Sequence, residues 1–287
     1  MLVRQVNLFA RSESRISDFK SISIHEALAF PGFCNQHDND LFRSLDQPPF
    51  LATAEQLFVQ AYRCACREYY FKACQLEGSL DAQQMAELQG LPKDGEYRLS
   101  PEFEMIKASM CQGMADAALC KKKFESRLAD RDYRRLLSYL IHSSSSPVIA
   151  CAGSFFPDYL SNGELLQDFT DFDSTLQSLF VSIIPDPSGF FIVLSFLDDE
   201  ARAPIRFIED LIATSSLTRR IVWMCMTRLE NLALKPSWWV ELPDATRDGI
   251  NKALHYNADV FDSRLATFDQ MPDLRIDEWE VCHQFWS

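Results

Sequence analysis

Leu179-Phe-Val-Ser-Ile-Ile-Pro-Asp-Pro-Ser-Gly-Phe-Phe-Ile-Val-Leu-Ser-Phe-Leu197 is the stretch whose reading decides the fold class. Residues 179–184 and 190–196 are short runs rich in β-branched and aromatic side chains, which suit a pleated, half-buried surface. Between them, Pro185-Asp-Pro-Ser-Gly189 is a turn with a mechanism: proline fixes φ, and glycine accepts a positive φ at no steric cost. Two such runs around such a turn predict a β-hairpin. A third apolar run, residues 147–156, follows the polar tract of serines at 143–146 and is expected to add one strand. The expectation is a small antiparallel sheet of about three strands.

The patterns on either side are helical. Thr53 with Gln56 three residues on has capping-box form. Leu57, Phe58, Ala61, Tyr62, Ala65, Tyr69 and Ala73 then recur at helical spacing to about Leu76. A short helix is expected at 82–88, before the loop Gly90-Leu-Pro-Lys-Asp-Gly95. From Pro101 to about His142 the pattern is again helical, with Asp130 breaking the run or capping a second piece that carries Leu136, Leu137, Leu140 and Ile141. Further helices are expected at 203–213 and 217–234, an abrupt stop at Pro236-Ser-Trp-Trp239, and a helix at about 244–255. The predicted class is α+β, mostly helical, with one small sheet. Four regions follow: an arm and motif segment at 1–50, a helical region at 51–142, the sheet with flanking helices at 147–256, and an acidic tail at 257–287.

A chain of 287 residues with 47% apolar residues can bury a sizeable core. No apolar run approaches the ~20 residues that a bilayer span requires. The first twenty residues carry charges throughout and lack the apolar core of a secretory signal, so a cytoplasmic protein with no membrane partner is expected. Nine cysteines, an odd number and several within helical patterns, point to reduced and mostly buried thiols. The net charge of −13 argues against a broad phosphate-backbone footprint.

One segment concentrates ligand-type side chains: Ala29-Phe-Pro-Gly-Phe-Cys-Asn-Gln-His-Asp-Asn-Asp-Leu-Phe42. Cys34 and His37 form a C-x-x-H pair, a spacing that lets two side chains reach one Zn²⁺ from a tight knuckle. His25, nine residues upstream of Cys34, and Asp38 are the candidates for the remaining positions. The alternative is a buried Cys34, with His37 and Asp38 bonded to the backbone of a turn.

Residues 24–42, with their Gly-Phe-Cys-x-x-His-Asp and following Leu-Phe, resemble the hallmark of an uncharacterised bacterial protein family. The helix from Gln56 to Arg63 with Glu68-Tyr69, and the Lys235-Pro-Ser-Trp-Trp239 element, are similar to it as well. The resemblance implies a longer form in which an upstream C-x-x-C segment completes an HNH-type or treble-clef zinc arrangement. This chain is expected to lack that half, since Met1 starts too late to hold it. Two functions are therefore carried forward: a binding protein with a degenerate zinc knuckle, or a nuclease-related protein of the defence or mobile-element kind.

Other constellations are weaker. Lys121, Lys122, Lys123, Arg127 and Arg134 recur at helical spacing and suggest a solvated face. The sharper readings are a partner protein, local nucleic-acid contact, or contact with an acidic part of the same chain. Asp168, Asp171 and Asp173 read as a solvated acidic loop, because an EF-hand would also need its glycine and terminal glutamate. Arg63 and Glu68, on one helix, are expected to pair with neighbours. No Gly-x-Ser-x-Gly elbow or Gly-rich phosphate loop is present.

Overall fold

The hairpin is present, as β5 (Leu179–Asp186) and β6 (Gly189–Leu197) paired antiparallel from Phe180↔Ser195 to Asp186↔Gly189. Gly189 adopts φ 147° at its closing pair. In this computed structural model the sheet around the hairpin is much larger than three strands. Descriptions cover residues 1–6, 16–23, 26–46, 49–79, 81–90, 98, 100–169, 171, 174–213, 215–258 and 271–287. Among them lie β1 (Leu2–Val6), β2 (Ile16–Ser21), β3 (Leu136–Ser143), β4 (Ile149–Phe155), β7 (Leu232–Leu234) and β8 (Val281–Trp286). With the hairpin they form one eight-stranded sheet of order β2-β1-β7-β4-β5-β6-β3-β8. Every neighbouring pair is antiparallel.

The expectation of three strands is thus corrected, and each missed strand has its own reason. β3 lies in the second half of the expected helix 101–142. The helix α4 (Pro101–Asp130) ends where Arg131 turns left-handed at φ 54° and ψ 33°. Beyond it, Leu136, Leu140 and Val193 face one core, while Tyr139, Ile141, Ile192 and Leu194 face the other. A strand buried on both sides shows no polar alternation, so its apolar run cannot be told from a buried helix by periodicity. β7 is only three residues long and ends the expected helix 217–234, which stops as α6 (Leu217–Arg228). β1, β2 and β8 come from the two ends of the chain. Their pairing is decided by distant partners such as Tyr139↔Trp286 and Leu2↔Leu234.

Helices cover both faces. On one lie α1 (Asn35–Asp46), α2 (Ala54–Glu77) and α4, with Phe42, Phe58, Tyr62 and Phe124 meeting Leu140, Phe180 and Leu197; the short α3 (Ala82–Leu88) comes between α2 and α4 in the chain. On the other lie α5 (Arg202–Ile212), α6, α7 (Pro236–Glu241) and α8 (Asp244–Ala258). There Phe207, Leu211, Trp223, Trp238 and Ile250 meet Val181, Ile192 and Phe196. The capping box of α2 is complete: Thr53 Oγ1 accepts from the Gln56 amide at 3.2 Å, and Gln56 Oε1 accepts from the Thr53 amide at 3.3 Å. Two local readings change. The C-x-x-H segment opens a helix, α1, and Pro236 starts α7 at its first turn, where a proline's missing N–H costs nothing. No described helix is long and apolar enough to cross a membrane.

All nine cysteines are free. Cys64, Cys66, Cys151 and Cys225 are buried, but Cys34, Cys74, Cys111 and Cys282 are exposed, so burial is less general than expected. Burial pushes the Cys64 and Cys66 thiols up to about 11.

Candidate functional site

The motif segment is fastened to α2 by rings. Phe30 stands 6.1 Å from Tyr70, and Phe33 stands 5.1 Å from Phe42 and 6.4 Å from Tyr62, centroid to centroid. Gly32 permits this, because a Cβ there would lie 2.0 Å from the Phe30 ring. The chain turns at residues 26–28, with Leu28 at φ 65°, and the Asp38 amide donates to the Cys34 carbonyl at 2.9 Å as α1 begins.

Held in this way, the segment arches over part of α2 and leaves a cleft of about 540 Å³. One wall is apolar, formed by residues 27–31 and Phe33. The facing wall is the α2 stripe Gln60, Arg63, Cys64 and Arg67, closed by Ala152 of β4 and by Asn231. Spacings of three and four place those four side chains on one side of the helix. Gln60 Nε2 donates to Ser182 Oγ at 2.8 Å, and Asn231 Nδ2 donates to the Ala152 carbonyl at 2.6 Å. Arg63 lies 3.6 Å from Asp38 and 3.5 Å from Asp46, with its guanidinium over the Phe42 ring at 4.6 Å. Arg67 sits over Phe71 at 4.3 Å, and burial holds its pKa below the ordinary arginine range.

The three described candidate ligands, Cys34, His37 and Asp38, do not form a metal-holding group. Cys34 Sγ and His37 Nδ1 are 3.3 Å apart and both exposed, so that pair is brought together. Asp38 is engaged by Arg63 instead, and His25 lies outside the described residues. Among the described residues, no group of three His, Cys, Asp or Glu side chains is arranged to hold a metal ion. Asp173 of the acidic loop is likewise outside them. No protein-family model, curated protein or solved structure matches this chain. Its chemistry must be argued from its own residues.

The basic segment on α4 meets acids of the same chain. Lys123 pairs with Asp199 at 3.3 Å, Arg127 with Asp199 at 2.8 Å, and Arg135 with Asp198 at 2.8 Å, while Lys121 bonds Glu125. Lys122 and Arg134 are exposed. Arg127 and Lys123 hold the Asp199 carboxyl below the usual range against the opposing effect of burial.

A second, smaller cleft of about 230 Å³ lies beside Ala65, Glu68 and Lys72 of α2. Phe155, Phe156, Phe169 and Phe180 wall it, and Asp116 and Arg228 border it. Burial raises the Glu68 carboxyl even though Lys72 is 3.2 Å away, and burial raises Asp116 as well. Arg228 is bound to Asp158 at 2.8 Å. Glu68 and Arg228 have charged partners and Asp116 accepts from Gln112 Nε2 at 3.1 Å, which fits a structural site better than a catalytic one.

Arg67 and Asn231 were not singled out by the sequence reading. The signal was there in part: Gln60, Arg63, Cys64 and Arg67 form a stripe beside the apolar one of Leu57, Phe58, Ala61, Tyr62 and Ala65. Asn231 carries no comparable signal, because it reaches the cleft through the β4–β7 pairing alone.

Proposed function

We propose that this protein acts by binding a small molecule, and that the cleft between residues 27–38 and α2 is the seat. The observation that supports this is the cleft's construction. At about 540 Å³ it falls in the ~300–1,000 Å³ range of small-molecule sites. One wall is apolar, and the other presents Gln60 and Arg63 already oriented by a hydrogen bond and by ion pairs. Such pre-organisation limits what a ligand must order on binding.

Filling the cleft tests the reading. Ala152→Phe places a ring where Ala152 now lines the cavity. Saturation-transfer NMR with a mixture of small aromatic and aliphatic fragments is expected to give hits on the unaltered chain. Those hits should vanish in Ala152→Phe, with the circular dichroism spectrum retained. Hits that persist in the variant, or an unaltered chain that gives none, would sink the proposal.

A second reading is favoured by the 3.3 Å approach of Cys34 Sγ to His37 Nδ1. A thiolate and an imidazole that close supply two of the four positions of a tetrahedral zinc knuckle. On this reading the protein is related to HNH-like nucleases, and the knuckle is completed by residues outside those described or by a partner chain. Elemental analysis of protein purified without added metal is then expected to find about one zinc per chain, lost in Cys34→Ser. Equal metal content in the two proteins would remove Cys34 from any metal site.

A further inference from the structure

Four buried side-chain atoms have no hydrogen-bond partner among the described residues: Ser44 Oγ, Arg67 Nε, Asp198 Oδ1 and Arg219 Nε. Arg67 is the one among them that lines either cleft. Its positive charge is opposed chiefly by burial, with Glu68, Glu230 and Cys64 acting in the other direction. An arginine does not escape that penalty by losing its proton. A guanidinium taken from water without a hydrogen-bonded anion is costly, and a partner is the usual remedy.

Arg63, one turn earlier, is in a different position. Asp38 and Asp46 flank it, and Phe42 lies beneath it. Among the described residues, the cleft therefore has one cation to offer. Its planar fork suits a carboxylate in a bidentate pair. A dianion would bring a second negative charge near Asp38, Glu68 and Glu230, with no second free cation among the described residues to meet it. Phe30, Pro31 and Phe33 line the same cleft and supply its apolar side.

We propose that the cleft takes a small organic monocarboxylate, its carboxylate paired with Arg67 and its apolar body against Phe30 and Phe33. This rests on the cleft being the ligand seat, as above. It adds the class of ligand and the residue that selects it. Arg67 contributes a charge-assisted pair in a partly desolvated place, so removing the ligand's charge should weaken binding about tenfold or more.

The test uses four probes of similar shape on the full chain: benzoate, benzamide, benzamidine and phenyl phosphate, titrated by calorimetry and by protein-observed NMR. Benzoate is expected to bind about tenfold or more tightly than benzamide, and more tightly than phenyl phosphate or benzamidine. Arg67→Met should abolish that advantage, so that benzoate binds no more tightly than benzamide in the variant. Arg67→Lys, which keeps the charge and loses the fork, should retain part of it. Benzoate and benzamide binding equally, with both lost in Ala152→Phe, would leave the cleft as the seat and overturn the carboxylate assignment. A benzoate advantage that survives Arg67→Met, or tighter binding of phenyl phosphate, overturns the assignment as well. No binding by any probe overturns the assignment together with the cleft.

Discussion

Gly189→Ala is expected to destabilise the protein by about 2–3 kcal/mol or more, read as a shift in urea midpoint. Two independent effects act in the same direction. Gly189 holds φ 147°, which an L side chain rarely adopts. A Cβ there would also lie 1.9 Å from the Ser143 carbonyl oxygen and 2.8 Å from the Ser144 Cα. Those atoms belong to backbone at the end of β3, which pairs with β6 through Ser143↔Phe190, so no flexible side chain can swing aside. Relief requires the hairpin to shift against β3, one strand in from the β8 edge of the sheet. The polar network at the turn would move with it: Ser188 Oγ bonds Asp186 and lies 3.1 Å from His142 Nε2, and the Ser188 hydroxyl holds the Asp186 carboxyl below its usual range. Ser188→Ala is the control, since it removes part of the network without touching the backbone. It should cost about 1 kcal/mol or less. A Gly189→Ala effect as small as that of Ser188→Ala would mean that the hairpin and β3 are not locked together.

That turn was legible because its reason is local. Proline and glycine act on their own dihedrals, and the flanking runs needed no distant information. The start of α2 was legible on the same grounds, since a capping box joins residues three apart. β3 shows where such reading stops. Leu136, Leu140 and Ile141 match a helical face, and only the neighbours on both sides, β6 and β8, turn that run into a strand. β8 is more extreme. Its side chains from Val281 to Trp286 are all exposed, so no burial pattern marks it, and its register is set by pairing with β3. The site divides in the same way. The Gly-Phe-Cys-x-x-His-Asp segment drew attention through its density of ligand-type residues, yet its phenylalanines and glycine are what build the cleft. Arg67 drew no attention as one more residue of a helix. Its place in the cleft depends on residues 27–33 folding back over α2 and on Asn231 arriving from the far end of β7, and neither can be read from helical spacing.

Arg228→Met is expected to lower stability by about 3–5 kcal/mol, because it strands a carboxylate that water does not reach. Asp158 is 1% exposed and its Oδ2 lies 2.8 Å from Arg228 Nη1. Its Oδ1 accepts from the Tyr159 amide at 2.9 Å, and its carbonyl accepts from the Leu166 amide at 2.6 Å. Asp158 therefore ties the loop after β4 to the end of α6. A pair on the surface would be worth only about 0–1 kcal/mol, because solvent screens it. The size of the effect distinguishes the two environments. Arg228 borders the smaller cleft, so water reaches one side of the pair but not the carboxylate. Methionine keeps much of the length and apolar packing of arginine, so the loss reports the charge and its hydrogen bond rather than a cavity. Adding Asp158→Asn to Arg228→Met should recover part of the stability, since the stranded charge is then gone while the amide still accepts from Tyr159. Urea unfolding of the two single variants and the double variant measures this coupling directly. A loss below about 1 kcal/mol in Arg228→Met, with no recovery in the double variant, would show that the small cleft hydrates Asp158 once the arginine is removed. The pair would then be a rim feature of that cleft rather than the clasp between the loop and α6.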